Sequence, residues 1–172
     1  MCIHEEIADR ARQDPSKGAI ASWDGDLTYA ELDDYSTSVA VNLQQKGIQP
    51  HDFVAVYFEK SKWAAVATLG VMKAGATFVM MDPALPLARL QNMVAQVKAK
   101  AVLTSQSQLD VSNSLIVPEM TISAPLIIDS NKFATEKKTD TPTTLAKVDS
   151  KTLMYIIFTS GSTGMSPLNF VS

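Results

Sequence analysis

Between Phe53 and Thr104 the chain repeats one alternation: a short, unbroken apolar run, a helix-length segment, then another apolar run. Phe53 to Phe58 (FVAVYF), Ala76 to Met81 (ATFVMM) and Ala101 to Thr104 (AVLT) are too short for helices and lack the polar alternation of a half-exposed strand. Such runs read as strands buried on both faces. Between them lie Lys62 to Lys73, an apolar helix stopped by Gly75, and a helix entered at Pro86 with Leu87, Leu90, Val94 and Val97 on one side. Strands joined by helices run parallel, because each crossover carries the chain back to the starting edge. The expected fold class is therefore α/β, a mainly parallel sheet of about five or six strands flanked by helices.

The flanking segments extend this pattern. Ile3, Ile7 and Ala11 recur every four residues in a helix that stops before Pro15, and Ala19 to Trp23 reads as a short strand closed by Asp24-Gly25-Asp26. Thr28 and Glu31 have capping-box spacing, starting a helix with Leu32, Val39 and Leu43 on one face and Gly47 at its end. Leu126 to Ile128 is a weaker strand candidate, and Ser130 to Thr144 reads as a polar, Lys/Thr-rich surface loop. Leu153 to Phe158 (LMYIIF) is another buried strand. There is no internal repeat.

Charge and composition narrow the function classes. The 172 residues are 46% hydrophobic and 19% charged, with a formal net charge of −3. That gives no basic footprint for nucleic acid, no polybasic membrane anchor and no apolar run of transmembrane length. Residues 1–14 carry six charges without an apolar stretch, so a signal peptide is not expected. Cys2 is the single cysteine, which excludes an internal disulfide and a cysteine-built zinc site and fits a cytoplasmic location. His4 and His51 are isolated from each other and are assigned to surface or packing positions, and adjacent Asp33 and Asp34 point apart on a helix and make no metal pair. Trp23 and Trp63 are assigned to core or edge filling, and methionines such as Met72, Met80 and Met81 to core filling.

One segment carries chemistry. Directly after LMYIIF come Thr159, Ser160, Gly161, Ser162, Thr163 and Gly164, four hydroxyls and two glycines in six residues. Glycines let the backbone approach an anion and expose successive N–H groups, while the hydroxyls add donors without bulk. The loop is not a Walker loop, because no Gly-Lys-Ser/Thr follows, and it lacks the first glycine pair of a dinucleotide fingerprint. From local chemistry alone, a phosphate cradle and a flexible linker both remain open.

A family resemblance decides between them. TSGSTG after LMYIIF resembles the signature of the adenylate-forming (AMP-binding) superfamily. Leu27 to Leu32 (LTYAEL) is similar to the first core motif of nonribosomal peptide synthetase adenylation domains, and Leu69 to Asp82 (LGVMKAGATFVMMD) to the second. Pro83, Pro86 and Arg89 fit the D-P-x-x-P-x-x-R run that follows. The likeness holds over residues 3–164 in order and spacing. It implies ATP-dependent activation of an amino or aryl acid to its acyl-adenylate, Mg²⁺ as co-ion and a carrier protein receiving the acyl group. It also implies that Thr159 to Gly164 contact the ATP phosphates.

The sequence then departs from the family. The pattern continues T-G-x-P-K-G, whereas here residues 165–172 read MSPLNFVS, with Leu168 in the place of the lysine. After Asp149 there is no carboxylate, and Lys151 is the only cation, so no Mg²⁺ ligand is identifiable. The expectation is a truncated adenylation domain with a divergent tail, not adenylating on its own, because the positioned charges of phosphoryl chemistry are missing. The catalytic residues stay unknown. The alternatives are a repurposed small natural-product enzyme, an isomerase or cyclase, or a non-catalytic interaction module. Apolar surface left by truncation leads to the expectation of a homodimer or a protein partner.

Overall fold

The computed structural model describes residues 3–131, 155–158 and 168–171. Helix α1 (Ile3–Gln13) precedes a small antiparallel pair, β1 (Gly18–Ile20) and β2 (Leu27–Thr28), and α2 (Tyr29–Gln45) follows. Then come β3 (Phe53–Tyr57), α3 (Lys62–Lys73), β4 (Thr77–Met81), α4 (Leu87–Val97), β5 (Ala101–Thr104), α5 (Leu109–Asn113) and β6 (Leu126–Ile127). Strands β7 (Tyr155–Phe158) and β8 (Leu168–Val171) complete a six-stranded sheet of order β6-β5-β3-β4-β7-β8. Every pair is parallel except β7 with β8. The mainly parallel α/β expectation holds.

Local chemistry explains where the elements begin and end. The Thr28 hydroxyl accepts from the Glu31 amide at 3.3 Å, and the Glu31 carboxylate accepts from the Thr28 amide at 2.9 Å, so the capping box closes as its spacing requires. Gly47 (φ 94°) and Gly75 (φ 78°) turn the chain after α2 and α3 in the left-handed region that a side chain disfavours.

The central strands are apolar on both sides because two cores flank them. Val54 and Val56 of β3 face α2 and α3, packing with Val39, Leu43 and Val66. Ala55 and Tyr57 face the other way, onto Leu90, Val94 and Val97 of α4. The uninterrupted run at 53–58 is thus an alternation of two buried faces.

Three details differ from the sequence reading. The first strand is Gly18–Ile20, and the chain leaves it before Trp23, which is 78% exposed with its indole N–H donated to the Lys60 carbonyl. Met80 is 41% exposed and fills no core, in contrast to the buried Met81. Leu168–Val171 forms an edge strand in register with β7, with Phe158 opposite Leu168, although this stretch leaves the family motif. Cys2 and residues 132–154 lie outside the described residues. No helix among the described residues is long and apolar enough to cross a membrane.

Candidate functional site

The topology selects one edge of the sheet. From β3 the chain crosses through α3 on one face to β4; from β4 it returns through α4 on the opposite face, past β3, to β5. Connections leaving neighbouring strands toward opposite faces open a crevice at the carboxyl ends of those strands. An open cleft of about 740 Å³ lies there, bounded by Phe58, Glu59 and Lys60 after β3, by Asp82 and Leu85 after β4, and by Arg89 on α4.

The β3 wall of this cleft is tied down on both sides. The Ser105 and Ser107 hydroxyls donate to Glu59 at 2.7 and 2.9 Å, joining the β3 loop to the β5 loop. Asp24 accepts from the Ser61 hydroxyl at 2.7 Å and from the Lys62 amide at 3.1 Å, while Ser61 in turn accepts from the Trp63 amide and caps α3. The Trp23 indole holds the Lys60 carbonyl. The sequence carries no motif for this bracing, because Asp24 and Ser61 stand 37 residues apart and meet only in the folded chain. On the β4 side, the Asp82 carboxylate accepts from the Ala84 amide at 2.8 Å and fixes the turn into α4.

Burial acts to raise the Glu59 carboxyl pKa, but hydrogen bonds from Ser105, the Glu59 amide, Ser107 and Gln108 together outweigh it and hold the group below its ordinary value. A depressed carboxyl pKa stabilises the fold above the unfolded value and loses that contribution as pH falls through the folded one. Between about pH 4.5 and the lower folded value, Glu59→Gln is therefore expected to flatten the acid limb of the stability curve. Urea midpoints measured across that range test it; an unchanged slope would show that Glu59 is not coupled to folding.

The phosphate-loop candidates Thr159, Ser160, Gly161, Ser162, Thr163 and Gly164 lie outside the described residues. The strand that leads into them is described. β7 runs parallel to β4, with Tyr155 opposite Phe78 and Ile156 opposite Val79. Its carboxyl end, from which the loop departs, is therefore at the same sheet edge as the cleft, one strand beyond β4. Among the described residues no three His, Cys, Asp or Glu side chains gather in a way that could hold a metal ion. Asp33 receives the Lys73 ammonium at 2.6 Å.

Comparison with known proteins agrees with this geometry. Residues 7–166 match the model of the AMP-binding enzyme family. Nonribosomal peptide synthetase sidD of Aspergillus fumigatus is 50% identical over 164 residues, covering 95% of this chain and 8% of sidD. A crystal structure of the nonribosomal peptide synthetase FmoA3 superposes with a TM-score of 0.77 at 26% identity, covering 93% of this chain and 16% of that one. The AMPPNP-bound form of FmoA3 gives 0.72 at 24% identity. This chain thus spans a small part of the synthetases it matches. With the family model covering nearly all of its length, the chain belongs to the AMP-binding enzyme family.

Proposed function

We propose that this chain supplies the phosphate-binding part of a nonribosomal peptide synthetase adenylation unit, with Thr159 to Gly164 wrapping the phosphates of ATP. The observation that supports this reading is the parallel pairing of β7 with β4, which puts the carboxyl end of β7, the residue before the hexapeptide in the sequence, at the sheet edge that bears the switch-point cleft. A parallel strand followed by glycines and hydroxyls presents backbone N–H groups to an anion. The AMPPNP-bound FmoA3 relative supports a nucleotide as the ligand. In the parent reaction the carboxylate of an amino or aryl acid attacks the α-phosphorus of ATP. Pyrophosphate leaves, and the acyl-adenylate then passes to a carrier-protein thiol. The role assigned to this chain is to hold and orient the leaving phosphates.

The hexapeptide contributes donors but no charge, and from Thr159 to Ser172 there is neither a cation nor a carboxylate. Binding without turnover is accordingly expected. ATP titrated into the chain by calorimetry should bind, and the Gly161→Val, Gly164→Val double variant should weaken that binding by about tenfold or more, about 1.4 kcal/mol. Added side chains would block the close approach of backbone to phosphate. Equal affinity in parent and variant would remove the loop from the site. Robust pyrophosphate exchange with any proteinogenic amino acid would overturn the expectation of binding without turnover.

A further inference from the structure

A parallel sheet in an α/β fold is covered on both faces, because its crossovers lay helices on each side. Strand β4 is an interior strand, with β3 on one side and β7 on the other. On one face its Val79 and Met81 are buried with Leu90 and Val94 of α4. On the opposite face Met80 is 41% exposed, beside α3, where the Thr68 hydroxyl lies 3.8 Å from its sulfur. An open groove of about 690 Å³ lies there, lined among others by Ile7 of α1, Ile20 of β1, Ala65 and Met72 of α3, and Met80. Thr68 turns its hydroxyl back to the Ala64 carbonyl at 2.8 Å, so this wall is mostly carbon.

Four large apolar side chains are exposed among the described residues, and three of them gather at this groove. Met80 lines it. Ile3 sits one turn before Ile7 on the same face of α1. Trp23 stands at the end formed by Glu59, Lys60 and Ser61, its ring 78% exposed and its indole N–H donated to the Lys60 carbonyl. The fourth, Leu87, is on α4 across the sheet. Single exposed apolar residues are ordinary, but a contiguous apolar groove marks an interaction surface.

We propose that this groove is the docking face for a helix supplied by the rest of an adenylation unit, from the segment that follows the matched residues in the synthetases. The proposal rests on the adenylation-unit reading above and names the surface through which this part joins the remainder. The matched residues make up 8% of sidD and 16% of the FmoA3 chain, so such synthetases carry ample further chain. Elements consecutive in sequence tend to pack as neighbours. β7 lies next to β4, which places the segment after the matched part closest to the uncovered strand. A helix fits the gap: it is about 10 Å across, and two neighbouring strands about 4.8 Å apart lie under that width. Its apolar stripe would meet Met80 and the flank of α3 and complete the helical layer. Trp23 is ready as an anchor, since a ring already fixed by its own hydrogen bond loses little freedom on binding. The charged end of the groove is balanced, Glu59 against Lys60, so the recognition is apolar and not electrostatic.

The test co-expresses this chain with the sidD segment that directly follows the matched part, and follows complex formation by gel filtration and affinity by calorimetry. The parent chain, Met80→Glu, Trp23→Ala and Leu87→Glu are compared, with thermal melts to check that each stays folded. Met80→Glu is expected to weaken binding about tenfold or more, because docking would bury an unpaired carboxylate. Trp23→Ala should cost about tenfold through loss of the anchor. Leu87→Glu, equally exposed but across the sheet, should bind as the parent does. Equal affinity in Met80→Glu and parent, or an equal loss in Leu87→Glu, overturns the assignment. So does a parent chain that dimerises alone and becomes monomeric with Met80→Glu, because a second copy is then the occupant. An ATP titration of the parent separates the two readings. ATP bound with no complex formed sinks the docking face alone, a complex formed with no ATP bound sinks the nucleotide reading alone, and absence of both sinks both.

Discussion

Asp33→Ala is expected to destabilise the fold by about 3 kcal/mol, because it strands a cation in the core. Lys73 is 4% exposed, and its ammonium donates to the Asp33 carboxylate at 2.6 Å, the Asp33 carbonyl at 3.0 Å and the Thr37 hydroxyl at 2.9 Å. All three acceptors belong to α2, so the lysine pins α3 to its neighbour. Burial pushes the Lys73 pKa down, and Asp33 works against that by favouring the charged form. Without the carboxylate the two neutral acceptors and the charge of Asp34 remain, but the directly hydrogen-bonded counter-charge is gone. Replacing the lysine as well should recover most of the loss, because an apolar chain of similar length suits a buried site at least as well as an ion pair. Urea midpoints of Asp33→Ala, Lys73→Met and the double variant form a double-mutant cycle with a large coupling term. A single Asp33→Ala variant within about 0.5 kcal/mol of the parent would show that the pair contributes little.

Gly70→Val should be comparably damaging, by steric overlap and not by charge. A Cβ added at Gly70 would lie 2.5 Å from Cγ1 and 2.6 Å from Cβ of Val39, and 3.1 Å from the Ser36 carbonyl oxygen. The backbones of α2 and α3 approach closely because Gly70 and Ser36 are small, and Ser36 turns its hydroxyl back to the Leu32 carbonyl at 2.6 Å. Alanine at position 70 improves helix propensity by about 1 kcal/mol. Even so, Gly70→Ala is expected to be net destabilising, by about 1–3 kcal/mol, with valine worse. Each kcal/mol lowers the melting temperature of a domain this size by about 2–4 °C. Pairing Gly70→Ala with Val39→Ala removes the overlap and should restore part of the loss. A Gly70→Ala variant that melts higher than the parent would refute the close crossing.

Much of the scaffold was legible because its signals are local. The Thr28 and Glu31 spacing carries the capping box, and Gly75 marks the end of α3 whatever surrounds it. The runs at Phe53, Thr77 and Ala101 announce strands through hydrophobicity alone, since both faces are covered. Trp23 and Met80 misled for the converse reason: a large apolar side chain has no local mark of whether a partner element will arrive to cover it. Of the candidate site, the hexapeptide was readable as a motif and through family resemblance. The braced β3 loop and the switch-point cleft were not, since their residues come from four separate segments.

Sequence alone determined the alternation of strand and helix and the parallel class of the sheet, because these follow from periodicity, caps and short-range steric rules. Strand order, the reversal of crossover direction at β3 and β4, the burial of Lys73 against Asp33 and the closeness of Gly70 to Val39 were decided only by the tertiary structure. Each depends on which faces meet once the chain packs, and contacts between residues 30 to 50 positions apart leave no periodic trace along the chain.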